Sequence, residues 1–145
     1  MKTLASAWFF WALLSAAFAA LTAIFAKVGV AGVNSDLATF VRTLVVIAVL
    51  AAILTAFGEW RPPGSITPRT YAFLGLSGLA TGASWLCYFR ALQLGDAARV
   101  APIDKLSVAL VAIFGVAFLG ERLSAVNWLG VALIAAGATL AAFKG

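Results

Sequence analysis

Residues 3–26 read TLASAWFFWALLSAAFAALTAIFA, a run of 24 residues without a charged side chain. An α-helix rises about 1.5 Å per residue, so about 20 apolar residues span the hydrocarbon core of a bilayer. Membrane strands are shorter and alternate polar with apolar residues, so this run predicts a membrane-spanning helix. Four further charge-free runs follow, at 43–58, 70–89, 106–120 and 123–143.

The composition agrees with lipid as the solvent. Of the 145 residues 64% are hydrophobic and 10% are charged, against about 25% charged in soluble domains, and the mean hydropathy is +1.08. The net charge is +5, but the basic residues are scattered between apolar runs instead of clustering as in a nucleic-acid binder. The sequence has no histidine and a single cysteine, Cys87. We therefore expect lipid contacts, no nucleic-acid partner, no metal site and no cofactor.

These runs predict an all-α integral membrane protein with one domain over residues 1–145. Asn34 or Ser35 is the predicted N-cap of the second helix, Pro102 fits the first turn of the fourth, and Gly120 is its predicted end. Lys2 and the small residues Ala17 and Ala19 resemble a signal peptide, but the apolar run is long for one, so we expect it to be retained. The predicted helices are 4–27, 36–57, 70–93, 102–119 and 125–143.

Orientation is not set by charge. Five spans place the termini on opposite sides, and each side then carries four Lys or Arg residues at or near the helix ends, or four against six when the more embedded Arg42 and Arg90 are counted. The two sets of four are Lys2, Arg61, Arg69 and Arg122 on one side and Lys27, Arg99, Lys105 and Lys144 on the other. Such a chain can insert both ways round, so we predict an antiparallel homodimer of ten helices. The alternative is a parallel dimer or monomer with one orientation.

The second half carries a recognisable pattern. It contains GASWLCYFRAL from Gly82, GDAARVAPIDKLS from Gly95 and the helix-end sequence LGERLS from Leu119. Over residues 70–143 this resembles an EamA domain of the drug/metabolite transporter superfamily, in its short single-domain form. The first half is similar more loosely, through Phe25-Ala-Lys27 and Arg42.

The resemblance implies a transporter of small organic solutes in a prokaryotic cell (inner/plasma) membrane, with each chain as half of a ten-helix inverted repeat. The related small multidrug resistance proteins carry a carboxylate in the middle of helix 1. Here Ser15, Phe18 and Thr22 lie there, which argues against proton-coupled export of bulky cations through such a residue.

Charged residues within or beside the spans are candidates for a polar gate or an anion site. A charge at a helix centre costs about 2.5–3.5 kcal/mol on insertion scales, so it needs a partner or water. Snorkelling to the headgroups is the structural alternative for Lys and Arg. We expect Asp104 to pair with Arg90 or Lys105. The predicted gate residues are Arg42, Arg90, Asp104, Lys105 and Ser107.

Aromatic and hydroxyl residues recur at helical spacing on the first and third helices, as expected for the lining of a pathway for an organic solute. Helix packing is the structural alternative for this stripe. The predicted substrate-binding residues are Trp11, Ser15, Phe18, Thr22, Thr81, Trp85 and Tyr88. The predicted helix-packing glycines are Gly78, Gly82, Gly130 and Gly137.

The function that these features favour is secondary transport of a small organic solute by alternating access. A small dual-topology ion channel is the alternative, but a channel needs a continuous polar lining and the mid-helix residues are mostly apolar. A non-transporting assembly subunit stays open. Without histidine or clustered carboxylates, acid–base chemistry has few candidates, so we predict no catalytic residues and no enzyme activity.

Overall fold

The computed structural model of the chain describes the backbone of residues 2–143 and the side chains of residues 8–62 and 64–143. Five stretches are long and apolar enough to cross a membrane, with the fourth made of α4 and α5 together. The prediction of an all-helical membrane protein with five spans is confirmed within the described residues. The elements are α1 (Lys2–Gly29), α2 (Ser35–Phe57), a 3₁₀ turn (Pro63–Ser65), α3 (Pro68–Leu94), α4 (Ala97–Asp104), α5 (Ser107–Leu119) and α6 (Ala125–Ala142).

Met1, Lys144, Gly145 and the side chain of Lys2 lie outside the described residues. They include the two ends of the predicted domain and two of the charges counted for orientation. The count of charges on the two sides is therefore taken from the sequence and not from the structure.

Helix ends follow the predicted capping chemistry. The Asn34 side chain accepts hydrogen bonds from the N–H groups of Asp36 and Leu37, at 2.9 and 3.2 Å, which confirms the N-cap of α2. Gly120 ends α5 with φ +68°, as predicted, and Gly58 ends α2 with φ +65°. Glycine suits both positions because a β-carbon is strained in this left-handed conformation.

The fourth span differs from the prediction. α4 begins at Ala97, because the Asp96 carbonyl accepts the N–H groups of Arg99 and Val100 at 2.9 Å each. Pro102 therefore lies inside α4 and not at its first turn. The predicted continuous helix 102–119 is wrong both in its start and in its continuity.

The interruption comes shortly after the proline, which has no N–H and crowds the preceding turn. The N–H groups of Lys105 and Leu106 bond three residues back, to the carbonyls of Pro102 and Ile103, at 3.0 Å each. Three-residue bonds tighten the backbone into a 3₁₀-like turn. The span thus consists of two helices joined by Lys105 and Leu106, which we call the α4–α5 turn.

The chain divides into two compact units. The hairpin unit comprises residues 28–93, and the four-helix unit comprises residues 27 and below together with 94 and above. Within the hairpin unit α2 and α3 are antiparallel, because Val33 before α2 contacts Gln93 near the end of α3, and Arg42 contacts Trp85 further back. Val30 and Leu92 are its most deeply buried large side chains.

In the four-helix unit α6 packs against α4 and α5. Arg99 donates two hydrogen bonds, from Nε and Nη2, to the carbonyl of Ala142 at 3.0 and 2.8 Å. Ala142 is the last residue of α6, so this contact satisfies a carbonyl that the helix itself leaves open. Lys27 Nζ donates to the carbonyl of Gly95 at 2.8 Å, which links the end of α1 to the start of the α4 region.

The spans bury little of their surface. Only 6% of the residues in the apolar window of each span are buried. Large apolar side chains such as Trp11, Phe18 and Leu79 are more than half exposed. In lipid such exposure costs little, because acyl chains are as apolar as leucine.

The Asn34 cap gives a stability test. We expect Asn34→Ala to lower the free energy of unfolding by about 1 kcal/mol, because two N–H groups lose their acceptor. Asn34→Asp keeps an acceptor oxygen and should retain most of that stability. Unfolding of the purified protein in detergent measures both. Equal losses in the two variants would contradict the capping role.

Candidate functional site

The candidate site centres on Arg42 in the hairpin unit. Arg42 lies seven residues after the start of α2, and Trp85 lies nine residues before the end of α3, which is about 10 and 13 Å along the two helices. Because the helices are antiparallel, these positions meet. The Arg42 Cζ lies 4.1 Å from the Trp85 ring centroid and 5.4 Å from that of Phe89. Both distances fall within the range of cation–π interactions.

Arg42 has aromatic partners but no anionic one among the described residues. The ion pair found among the described residues is Lys105–Asp104, so the Arg42 guanidinium takes part in no ion pair among them. A desolvated cation–π contact contributes about 2 kcal/mol, comparable with the cost of about 2.5–3.5 kcal/mol for an arginine at a helix centre. Arg42 is half-buried and lies off the centre of its helix, so both figures are upper values here, and Trp85 offsets part of the cost of placing Arg42 in the span.

A second polar chain lies nearer the end of the hairpin. Arg90 Nη1 donates to Gln93 Oε1 at 3.2 Å, and Gln93 Nε2 donates to the carbonyl of Val33 at 2.6 Å. Arg90 is exposed, whereas Arg42 is half-buried. The two predicted gate arginines thus have different surroundings within one unit.

The other predicted gate residues belong to the four-helix unit, at the α4–α5 turn. Asp104 Oδ2 and Lys105 Nζ are 3.3 Å apart, and their side chains are 37% and 54% exposed. Of the two predicted partners for Asp104, the structure gives Lys105. Ser107 begins α5 and is exposed. An ion pair therefore marks the point where this span is interrupted.

The predicted aromatic stripe of α1 lies on its exposed side. Trp11 and Phe18 are 65% and 60% exposed. Ser15 is exposed and Thr22 is half-buried, while Ala23 and Ala26 on the same helix are buried. Substrate binding by this stripe stays a prediction, and it requires a surface to close over it.

The three predicted substrate-binding residues of α3 differ in how far they are buried. Thr81 is exposed, and its hydroxyl donates to the carbonyl of Ser77 at 2.8 Å, within its own helix. Trp85 and Tyr88 are half-buried, and Trp85 carries the contact with Arg42. The structure therefore joins one residue predicted for substrate binding to one predicted for the gate.

The predicted packing glycines have free space around them. A β-carbon built on Gly78, Gly82, Gly130 or Gly137 meets no atom within 4 Å. No helix of the same unit packs closely at these positions. Their role in helix contacts stays a prediction. If they pack against a helix, the open space leaves room for a helix of another chain.

A depression of about 410 Å³ lies at the end of α2. None of the predicted substrate-binding residues lines it. Among the residues that the structure describes, no group of three or more His, Cys, Asp or Glu side chains is placed to hold a metal ion. The residues lining the depression are Leu54, Gly58, Glu59, Trp60 and Arg61.

Comparison with known proteins now defines the family. The model of the EamA-like transporter family matches residues 6–143. The chain belongs to this family. The resemblance expected from residues 70–143 is confirmed, and the match also includes the first half. No solved structure matches the chain.

Two curated relatives agree with this membership. An uncharacterized transporter in the cobO 3′ region of Sinorhizobium sp. is 69% identical over 139 residues, which are 96% of this chain and 99% of that protein. An uncharacterized transporter of Vibrio cholerae is 32% identical over 92 residues, which are 61% of this chain and 30% of that protein. The Vibrio protein is thus about twice as long as this chain.

The contact between Arg42 and Trp85 was not predicted from the sequence, which assigned the two residues to different roles. The signal that could have found it is their position in the hairpin. One lies seven residues after the start of α2 and the other nine residues before the end of α3. In antiparallel helices of adjacent spans, such positions lie at nearly the same level.

The Asp104–Lys105 pair is testable by a double-mutant cycle. Asp104→Asn and Lys105→Gln each leave one charge unpaired, so we expect each to lower the free energy of unfolding. The double variant should lose less than the sum, with a coupling of about 1 kcal/mol or less because both side chains are well exposed. Unfolding in detergent measures the cycle, with Arg61→Gln as a control outside the pair. Strict additivity would contradict a role for the pair in stability.

Proposed function

We propose that two copies of this chain, inserted in opposite orientations, enclose a pathway and carry a small organic solute by alternating access. Family membership supports membrane transport. The antiparallel pair, the organic solute and the mechanism are the further steps of the proposal. The observation that carries the antiparallel pair is the length of the Vibrio relative.

That relative is about twice as long as this chain. A unit of five spans that is duplicated in tandem is inverted automatically, because an odd number of crossings leaves the second copy starting on the other side. Inverted repeats of this kind build many secondary transporters, with the substrate bound between the repeats. A five-span chain reaches the same architecture by pairing with an inverted second copy.

The exposed surfaces of the chain support pairing. The stripe containing Trp11 and Phe18 is exposed, and the faces of Gly78 and Gly82 are open. Small residues let helix backbones approach closely in a membrane, where packing rather than the hydrophobic effect drives association. A second copy could thus supply the surface that covers the stripe.

The balanced charge of the connections also supports two orientations. Orientation follows an excess of Lys and Arg in cytoplasmic loops, and the two sides of this chain carry four and four such residues, or four and six with Arg42 and Arg90, which is a weak bias. Insertion both ways round then produces the two partners of an antiparallel pair from one sequence.

An ion channel is the competing function. The α1 stripe offers isolated hydroxyls, Ser15 and Thr22, between aromatic residues, and a channel requires a continuous polar lining. The mixture of apolar surface and a few polar groups instead resembles a site for an organic solute. Saturable counterflow in liposomes would indicate a carrier, and a conductance that does not saturate would indicate a channel.

A tandem fusion tests the antiparallel pair. Two copies joined by a short polar linker should show solute counterflow in liposomes, because the five spans of the first copy make the second copy start on the opposite side of the membrane. Inserting one extra transmembrane helix in the linker makes the copies parallel. That matched control should be inactive at equal expression.

The orientation itself is measurable in the unfused chain. Side-specific reporters at each terminus should report both orientations in comparable amounts. A single fixed orientation, or equal counterflow by the two fusions, would contradict the proposal.

A further inference from the structure

The geometry points to Arg42 as the residue that binds the anionic group of the solute, so that the pathway takes small organic carboxylates. This inference rests on the proposed function and names the chemical class of its substrate. It is carried by the stacking of Arg42 on Trp85 and Phe89 within the hairpin unit, and by the hydrogen-bond donors which that stacking leaves unused.

The cation–π contact with the two rings uses the charge of the guanidinium and takes up none of its hydrogen bonds. The five N–H donors of the guanidinium lie in the plane of the group and point outward from its edge. None of them has an acceptor or an ion-pair partner among the described residues, whereas Arg90 and Arg99 both donate hydrogen bonds. In a span, where lipid supplies no acceptor, unused donors need a ligand or water.

The placement of the guanidinium argues against snorkelling. A snorkelling side chain would extend toward the near end of the helices, where Phe89 lies one turn beyond Trp85. The Arg42 Cζ is instead nearer to Trp85, at 4.1 Å, than to Phe89, at 5.4 Å. The charge is therefore held inside the span, beside the ring that lies further from the end.

The surrounding charges leave the site positive. The hairpin unit contains two carboxylates, Asp36 and Glu59. Asp36 accepts a hydrogen bond from Ser35 at the start of α2, and Glu59 follows the opposite end of the helix. Neither pairs with Arg42, while Arg90 adds a second positive charge toward the near end of the hairpin. An approaching anion thus encounters an exposed arginine before the stacked one.

The shape of the site favours a planar anion with an apolar body. The fork of a guanidinium matches the two oxygens of a carboxylate with two parallel hydrogen bonds. Trp85 and Arg42 are both half-buried, so part of each side chain is reachable, while Phe89 is only 3% exposed. The apolar surface of the spans then accommodates the rest of the solute.

The test uses the purified full-length protein in maltoside micelles and benzoate as the probe. Benzamide is the matched comparison, since it has the same ring without the charge. Calorimetric titration should show saturable benzoate binding and benzamide binding at least about tenfold weaker, as expected when a charged hydrogen-bonded pair is lost. Equal affinity for the two probes would overturn the proposal.

Variants locate the binding to Arg42. Arg42→Gln should weaken benzoate binding about 10- to 100-fold, and Arg42→Lys should restore only part of it, because an ammonium lacks the fork. Arg69→Gln is the matched control, since Arg69 stacks on Phe73 at 5.8 Å in the same unit, and it should bind benzoate normally. Unchanged binding by Arg42→Gln, or an equal loss in Arg69→Gln, would overturn the proposal.

The aromatic platform gives a second line of variants, which also serves if Arg42→Gln does not fold. Trp85→Leu should weaken benzoate binding, and Trp85→Phe should retain most of it because an aromatic face remains. Circular dichroism and elution volume confirm the fold of each variant. Equal binding by Trp85→Leu and the wild type would remove the platform from the site.

A phospholipid headgroup offers similar oxyanion chemistry to a free carboxylate. Benzoate binding in micelles should not change when phosphatidylglycerol is added. If the added lipid displaces benzoate from the wild type, and Arg42→Gln loses the lipid that copurifies, the ligand is the headgroup and the proposal is wrong.

Counterflow by the tandem fusion separates this inference from the proposed function. Benzoate binding that depends on Arg42, without any counterflow, supports the site and contradicts the carrier. Counterflow of another solute that persists unchanged in Arg42→Gln supports the carrier and contradicts the site.

Discussion

Lipid offers no hydrogen bonds to a peptide backbone, and this constraint determines the local structure of the chain. Every buried N–H and C=O group must find a partner within the protein, so the spans are helices whose ends are closed individually. Asn34 closes the start of α2, Gly58 its end, and Arg99 reaches across to the last carbonyl of α6. Buried hydroxyls obey the same requirement, since Thr39 donates back to the carbonyl of Ser35.

Satisfying the backbone does not cover the faces of the helices. A soluble chain with so many exposed apolar residues would aggregate, whereas in lipid those faces are already solvated. Association of such helices then depends on close packing and polar contacts. The open glycine faces are thus a better argument for a second copy than exposed hydrophobic area would be by itself.

Elements fixed by local chemistry were predicted well from the sequence. Charge-free runs gave the five spans, and the caps at Asn34 and Gly120 followed from side-chain type. Pro102 was misplaced because proline is acceptable both in a first turn and, with a distortion, inside a membrane helix. The choice between these depended on Asp96, whose carbonyl begins the helix five residues earlier.

The candidate site was harder to predict because it depends on register between two helices. Composition identifies Arg42 as a costly residue and Trp85 as an aromatic one, but neither property says that they touch. Their contact follows from the antiparallel arrangement of α2 and α3, which the Gln93–Val33 hydrogen bond helps to fix. The partner of Asp104 was simpler, since Lys105 is its neighbour in the chain and needs no register.

An inverted pair has a consequence for how an arginine in this position can work. Arg42 lies about 10 Å inside one end of its span, so the Arg42 of the inverted copy lies the same distance inside the opposite end. In the proposed pair, a carboxylate entering from either side would meet an equivalent guanidinium. Movement of the solute between the two sites would require a change of shape, which is what alternating access means. The α4–α5 turn is where a span already departs from regular helical bonding, and a short 3₁₀ segment of this kind is a place where a helix can bend without losing every backbone partner.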